Sequence, residues 1–250
     1  MNSKALVLFL LIAFLFNCKQ EAPELTADMI IDKAIEVSGG DLFGKATIDF
    51  DFRNRHYKAI RNKGEFQFER EFSDSLGIFK DVLSNSGFKR FLNDEPFKVE
   101  DTMAVKYARS VNSVHYFSIL PFGLNDAAVN KTFLGKLQIK GKDHFKVKVT
   151  FSEEGGGEDF EDVFMYYVNT KTYKVDYFSY LYYVDGGGIR FREAYNERYV
   201  NGLRFVDYKN FKPENPEADL NILDSLYNAD ALKLLSKVEL ENITVNIQSN

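Results

Sequence analysis

Runs in which an apolar residue alternates with a polar one recur along most of this chain, and that period of two leaves few folds open. Ala46, Ile48, Phe50 and Phe52 alternate with Thr47, Asp49 and Asp51, the pattern of a strand with one dry face. Phe66 and Phe68 alternate with Gln67 and Glu69, and Phe145, Val147, Val149 and Phe151 with Lys146, Lys148 and Thr150. The 24 Phe and 14 Tyr, against no Trp, suit pleated surfaces on which flat and β-branched side chains pack well. Further strands are predicted over 57–60, 64–72, 160–168, 173–184, 189–199 and 203–211. Asn169-Thr170-Lys171-Thr172 turns one hairpin, and Asn201-Gly202, the pair most diagnostic of a tight turn, closes another. Residues 76–105 are expected to form two or three shorter strands around the turns at Ser84-Asn85-Ser86-Gly87 and Asn93-Asp94-Glu95-Pro96.

Three segments break the alternation. Residues 25–38 read as an amphipathic helix: Thr26 caps it, Asp28 complements its positive end, and Ala27, Ile30, Ile31, Ala34 and Ile35 share one face. Gly39-Gly40 supplies its exit. Residues 111–133, around Ser118-Ile119-Leu120-Pro121-Phe122-Gly123-Leu124, read as a helical or looped insert, and residues 229–237 as a short helix through Leu232 and Leu235. The closing strand shifts the phase of its dry face before Ile243, Val245 and Ile247, which predicts a bulge. This order defines an α+β chain: a large curled antiparallel sheet, a half-barrel, with the N-terminal helix packed on its concave face. Residues 26–250 are expected to form one domain, long enough for a substantial core.

The first 25 residues belong to another problem. Lys4 precedes an apolar run over residues 5–16, the layout of a secretory signal over residues 1–17. Those twelve residues fall short of the roughly 20 that a spanning helix needs. Leu15-Phe16-Asn17-Cys18 resembles a lipobox, the motif read by the bacterial lipoprotein signal peptidase, although Phe16 and Asn17 are bulkier than the small residues usual there. Cys18 is the only cysteine, so an exported chain has no internal disulfide to make, and lipidation of that thiol is the expected modification. Residues 18–25 would then be the lipidated cysteine and a short polar tether.

After removal of the leader the chain carries 31 basic and 37 acidic residues, a net of −6. Nucleic-acid binding, which draws most of its affinity from a basic face, is excluded on that ground. Attachment to the membrane is expected through the N-terminal lipid, with no basic patch required.

Several segments together resemble a family of bacterial lipoproteins of unknown function. They are Ile30-Ile31-Asp32-Lys33-Ala34-Ile35 leading into Gly39-Gly40, then Phe117-Ser118-Ile119-Leu120-Pro121, Gly141-Lys142-Asp143-His144-Phe145-Lys146-Val147 and Gly155-Gly156-Gly157. Arg190-Phe191-Arg192-Glu193-Ala194 and Asn210-Phe211-Lys212-Pro213 complete the set. In element order the chain is also distantly similar to the lipoprotein-carrier superfamily of periplasmic half-barrels. That similarity implies an acyl-chain site between helix and sheet, as an analogy of fold.

Motifs for chemistry are scarce. Gly-x-Ser-x-Gly, a phosphate-binding glycine loop and His-Glu-x-x-His are all absent from the sequence. His56, His115 and His144 are far apart and read as half-buried polar residues. The run from Glu153 to Asp162 sets six carboxylates around three glycines; calcium favours such oxygen-rich loops, but a solvated turn explains the run more simply. No metal or cofactor is expected. If Ile189 and Phe191 share one strand face, Arg190 and Arg192 share the other, where two guanidiniums suit a carboxylate or phosphate head group; surface arginines paired with neighbouring acids are the alternative. Phe164, Tyr166, Tyr177, Tyr180 and Tyr182 put aromatics on both faces of two strands, so either both faces are covered or one lines an apolar cavity. Arg190, Arg192, Tyr166, Tyr180 and Tyr182 are therefore the candidate ligand-binding residues. The expected protein is a non-enzymatic envelope lipoprotein, anchored by its lipid at the outer membrane on the periplasmic face or cell surface. It would hold a lipid-like ligand between the helix at 26–38 and the sheet. An interaction protein with a solid core is the alternative, and a hydrolase the weakest reading.

Overall fold

The computed structural model of the protein describes residues 24–157 and 159–248, with Asp185 described by its backbone alone. The expected signal, Cys18 and most of the tether lie outside the described residues. No helix among the described residues is long and apolar enough to cross a membrane.

The first helix, α1 (Ala27–Ser38), starts where the sequence places it, with the Thr26 hydroxyl accepting from the Met29 amide at 3.2 Å. Ile30, Ile31 and Ala34 are fully buried, each isoleucine contributing roughly 1.5–3 kcal/mol. Gly39 ends the helix at φ 124°, and a Cβ there would stand 2.9 Å from the Gly202 carbonyl. Only glycine fits that junction of helix and hairpin.

A short 3-10 turn over Gly40–Lys45 leads into a meander: β1 (Ala46–Phe52), β2 (Arg55–Asn62), β3 (Glu65–Asp74), β4 (Gly77–Ser84), β5 (Gly87–Leu92) and β6 (Glu95–Pro96). A second helix, α2 (Asp101–Ser118), separates it from a second meander of β7 (Val129–Ile139), β8 (Lys142–Phe151), β9 (Val163–Asn169), β10 (Val175–Tyr182), β11 (Gly188–Val200) and β12 (Leu203–Pro213). A short helix α3 (Leu223–Asn228) then precedes β13 (Leu232–Val238) and β14 (Glu241–Ile247). All pairings are antiparallel, in two seven-stranded sheets ordered β14-β1-β2-β3-β4-β5-β6 and β13-β12-β11-β10-β9-β8-β7. The curled α+β half-barrel expected from the sequence is thus built from two sheets rather than one. Asp207 on β12 closes their seam, accepting from the Leu240 amide at 3.0 Å and from Arg198 Nη2 at 2.9 Å. Asn201-Gly202 turns β11 into β12 with φ of 48° and 85°, positive at both positions as a tight hairpin requires.

Three segments differ from expectation. The sequence predicts strands as far as residue 105, whereas α2 starts at Asp101; the helical or looped insert predicted over 111–133 is present as the end of α2 and the turns after it, but it stops at β7, which starts at Val129. Ala104, Tyr107, Ala108, Val111, Val114, His115 and Ser118 recur at helical spacing, but with two alanines, a histidine and a serine the stripe is too weakly apolar to stand out. Residues 229–237 are expected as a helix, but 229–231 leave the short helix as a turn and 232–237 lie in the strand β13. Its pairing with β12 slips between Asn210 and Phe211, and that bulge leaves Leu235 without a partner on β12, three residues after Leu232, a separation that mimics helical spacing. The last strand does carry an irregularity: its register with β1 shifts between Asp49 and Asp51, where Asn242, at φ 52°, donates to Asp51 at 2.7 Å.

Both faces of β9 and β10 are covered. On the concave side α1 packs with Phe145, Val147, Tyr166 and Phe178. On the convex side α3 and the chain before it bury Met165, Tyr167, Tyr177 and Phe191. Two covered faces account for the double aromatic stripe.

Candidate functional site

The concave face is not filled throughout. A cavity of about 430 Å³ opens between α2 and the second sheet and reaches the seam at Phe52 and Leu240. It lies beneath α2, not beneath α1, whose buried face meets a packed core.

Each wall follows from an element's periodicity. The helix α2 contributes Ser110, Ser113, Val114, Phe117 and Ser118, positions three or four apart that share a face. Three of these are serines, whose short side chains leave space beneath a helix that Arg70 and Arg90 hold from the first sheet. The strands β10, β11 and β12 contribute Tyr180, Tyr182, Arg192, Val206, Tyr208 and Asn210 at alternate positions. Arg192 is paired in register with Phe178 on one side and Asn210 on the other, and Asn210 with Ser236 on β13. A row of Phe178, Arg192, Asn210 and Ser236 therefore crosses four strands.

Arg192 is 8% exposed. Its Nη2 donates to the Tyr180 hydroxyl at 2.9 Å, while Nε is buried without a partner. Its guanidinium carbon sits 4.2 Å from the centre of the Phe117 ring and 5.3 Å from that of Tyr180, within cation–π range. Arg190 repeats the pattern one rung along, donating to the Tyr182 hydroxyl at 2.8 Å, but it also bonds the Ile189 carbonyl at 2.8 Å and does not line the cavity. Tyr180 and Tyr182 do line it. Tyr166 is fully buried behind it, its hydroxyl 3.4 Å from that of Tyr116, which burial pushes up to about 12. Of the five candidates, Arg192, Tyr180 and Tyr182 face the cavity. Asn210, Ser236 and the α2 serines were not among the candidates.

The acidic loop reaches the same place. Asp159 forms an ion pair with Arg109 of α2 at 3.3 Å, and both line the cavity together with Asp162. Burial, helped by the charge of Asp159, pushes the Asp162 carboxyl up to about 6. The histidines, expected to be half-buried, go elsewhere: His56 is exposed and pairs with Asp51 at 2.8 Å, His144 is fully buried and pairs with Asp176 at 3.1 Å, and His115 is fully buried on the inner side of α2 itself. Among the described residues, no group of three or more His, Cys, Asp and Glu side chains is placed to hold a metal ion.

A family of unknown function, DUF6503, matches residues 4–242, and the chain belongs to it. No protein of curated function matches the sequence. Among solved structures, the chain is similar to a DUF1329 family protein from Desulfovibrio piger, with a TM-score of 0.50 at 8% identity over 90% of this chain and 95% of that one. A LolA superfamily protein from Nitrosomonas europaea gives a TM-score of 0.48 at 10% identity over 90% and 95%. A putative outer membrane lipoprotein-sorting protein domain from Vibrio parahaemolyticus gives 0.41 at 9% over 88% and 94%. At such identities the first of these likenesses is one of fold.

Proposed function

We propose that this protein is a non-enzymatic bacterial envelope lipoprotein, tethered through Cys18, that binds one lipid-like molecule in the cavity under α2. The observation that carries this reading is the cavity, about 430 Å³ in volume and walled by Phe117, Tyr180, Tyr182 and Tyr208. That volume lies within the range of about 300–1,000 Å³ usual for ligand pockets. It suits one hydrocarbon chain better than a whole diacyl lipid. The space under α2 weighs against the solid interior that the docking-protein alternative requires. The leader and its single cysteine support the envelope location.

Native mass spectrometry of protein extracted from its own membrane is expected to find a retained lipid-like molecule. Ser113→Trp, which drives an indole from α2 into the cavity, is expected to lose that adduct while the protein still unfolds cooperatively. Repeatedly empty wild-type protein would sink the reading. The location has its own test: Cys18→Ser is expected to move the protein from the membrane fraction to the soluble one, and a variant that stays equally bound would contradict the tether.

A further inference from the structure

The cavity wall holds a positive charge that the fold leaves unanswered. Neither Nε nor Nη1 of Arg192 has a hydrogen-bond partner among the described residues, and no carboxylate pairs with it there. The chain treats other buried arginines differently. Arg70 and Arg90 both reach Asp81 at 2.6 Å, and Arg204 is bonded to Glu197. Arg61 is a second exception, but it lies over the Phe68 ring at 4.6 Å and does not line the cavity. With its Nε buried and unpaired, the Arg192 charge is costly unless a partner hydrogen-bonds it, and aromatic faces offset only part of that cost.

A second orphan stands beside it. Asn210, the in-register neighbour of Arg192, is 8% exposed, and its Oδ1 is buried with no partner while Nδ2 donates to Ser236 Oγ at 3.2 Å. A half-turn of that amide hands Oδ1 to the Ser236 hydroxyl and turns Nδ2 toward the same space as the guanidinium. The two side chains then offer several N–H donors to one acceptor group.

Resting on the binding reading above, we infer that the ligand is an acyl chain ending in a carboxylate, which accepts hydrogen bonds from Arg192 and Asn210 while the chain runs along Phe117, Tyr180 and Tyr208. One guanidinium answers one negative charge, and a neutral head leaves Arg192 as it is now. The other cations lining the cavity are Arg53, Lys106 and Arg109, the last of them paired with Asp159.

The test is native mass spectrometry of the full chain released from detergent and offered palmitate, hexadecanol and hexadecyl phosphate together. Charge-assisted hydrogen bonds of this kind correspond to about a tenfold to hundredfold preference, so the palmitate adduct should dominate by at least about tenfold. Arg192→Gln should remove that preference. Asn210→Asp, which places an internal carboxylate against Arg192, should remove it as well and raise the melting temperature, so the inference does not depend on one variant folding. Equal palmitate and hexadecanol adducts in the wild type, or an unchanged preference in both variants, would overturn the head-group assignment and leave lipid binding standing. Dominance by hexadecyl phosphate, or loss of the palmitate adduct to excess inorganic phosphate, would overturn the carboxylate. Absence of every adduct would overturn the binding reading and this inference with it.

Discussion

Replacing Asp81 with alanine is expected to remove about 3–5 kcal/mol of stability, the usual result of leaving buried charges uncompensated. Asp81 is completely inaccessible to solvent. Its two oxygens take four hydrogen bonds, from Arg70 Nε at 3.0 Å and Nη2 at 2.6 Å, and from Arg90 Nε at 2.6 Å and Nη2 at 2.9 Å. The two arginines then reach across to α2: Arg70 Nη1 donates to Ser110 Oγ at 2.8 Å, and Arg90 stacks 3.6 Å from the centre of the Tyr107 ring. One carboxylate on β4 thus holds the helix that walls the cavity. Alanine leaves two buried cations facing each other, so the loss should appear in urea or thermal unfolding, and retention of any lipid-like adduct should fall with it. Replacing all three side chains by apolar ones of similar volume should recover much of the stability, because the desolvation cost goes with the charges. A loss below about 1 kcal/mol for Asp81→Ala would mean that the arginines swing out to water and that the clamp is not what fixes α2.

The contrast between α1 and α2 explains what the sequence reveals and what it conceals. The first helix declares itself through Thr26, the Ile30, Ile31 and Ala34 stripe and Gly39, all local signals. The second is held by Arg70, Asp81 and Arg90, partners up to 40 residues away, and its inward face carries Ser110, Ser113 and His115, which by hydropathy look solvated. The strands were legible because alternation is local too, and the half-barrel followed from their order. The site was legible in part for the same reason: alternation puts Tyr180, Tyr182 and Arg192 on one face. Arg190 shares that alternation but turns back to Tyr182 and the Ile189 carbonyl, a side-chain choice that no periodicity encodes. Asn210 did leave a signal. It follows Val206 and Tyr208 at a spacing of two, a polar residue at a dry-face position, and such an exception marks either a bulge or a site. Here it marks both, since the pairing of β12 with β13 slips immediately after it. The position of the cavity was beyond reach without α2.

Acidification is expected to loosen this same helix from the first sheet. His115 sits on α2 with no solvent exposure, against the rings of Phe50, Tyr57 and Phe68, and its Nε2 lies 3.1 Å from the Glu69 carbonyl while Nδ1 has no partner. Burial pushes its pKa down from 6.5 to about 3; the Glu69 carbonyl opposes this, and the charges of Arg61 and Arg70 add to it. Between those two values the unfolded chain carries a proton on this imidazole that the folded chain does not. Stability therefore falls as the pH drops below 6.5, and the fall is complete near pH 3. At about 1.4 kcal/mol for each pH interval crossed, the loss from this residue approaches about 5 kcal/mol. Asp162 works in the opposite sense, since its raised pKa adds stability as the pH falls from about 6 toward 3.8, though its partial exposure weakens the effect. Asp176 and Glu197, whose pKa values are held down, work in the same direction as His115 at lower pH. The contribution of His115 is isolated by comparison with His115→Gln, which keeps a donor for the Glu69 carbonyl and has no proton to gain. Unfolding free energies measured from pH 7 to pH 4 should converge, the variant losing several kcal/mol less than the wild type. Parallel curves would mean that the imidazole reaches water before it is protonated, and α2 would then not be the element that acid releases.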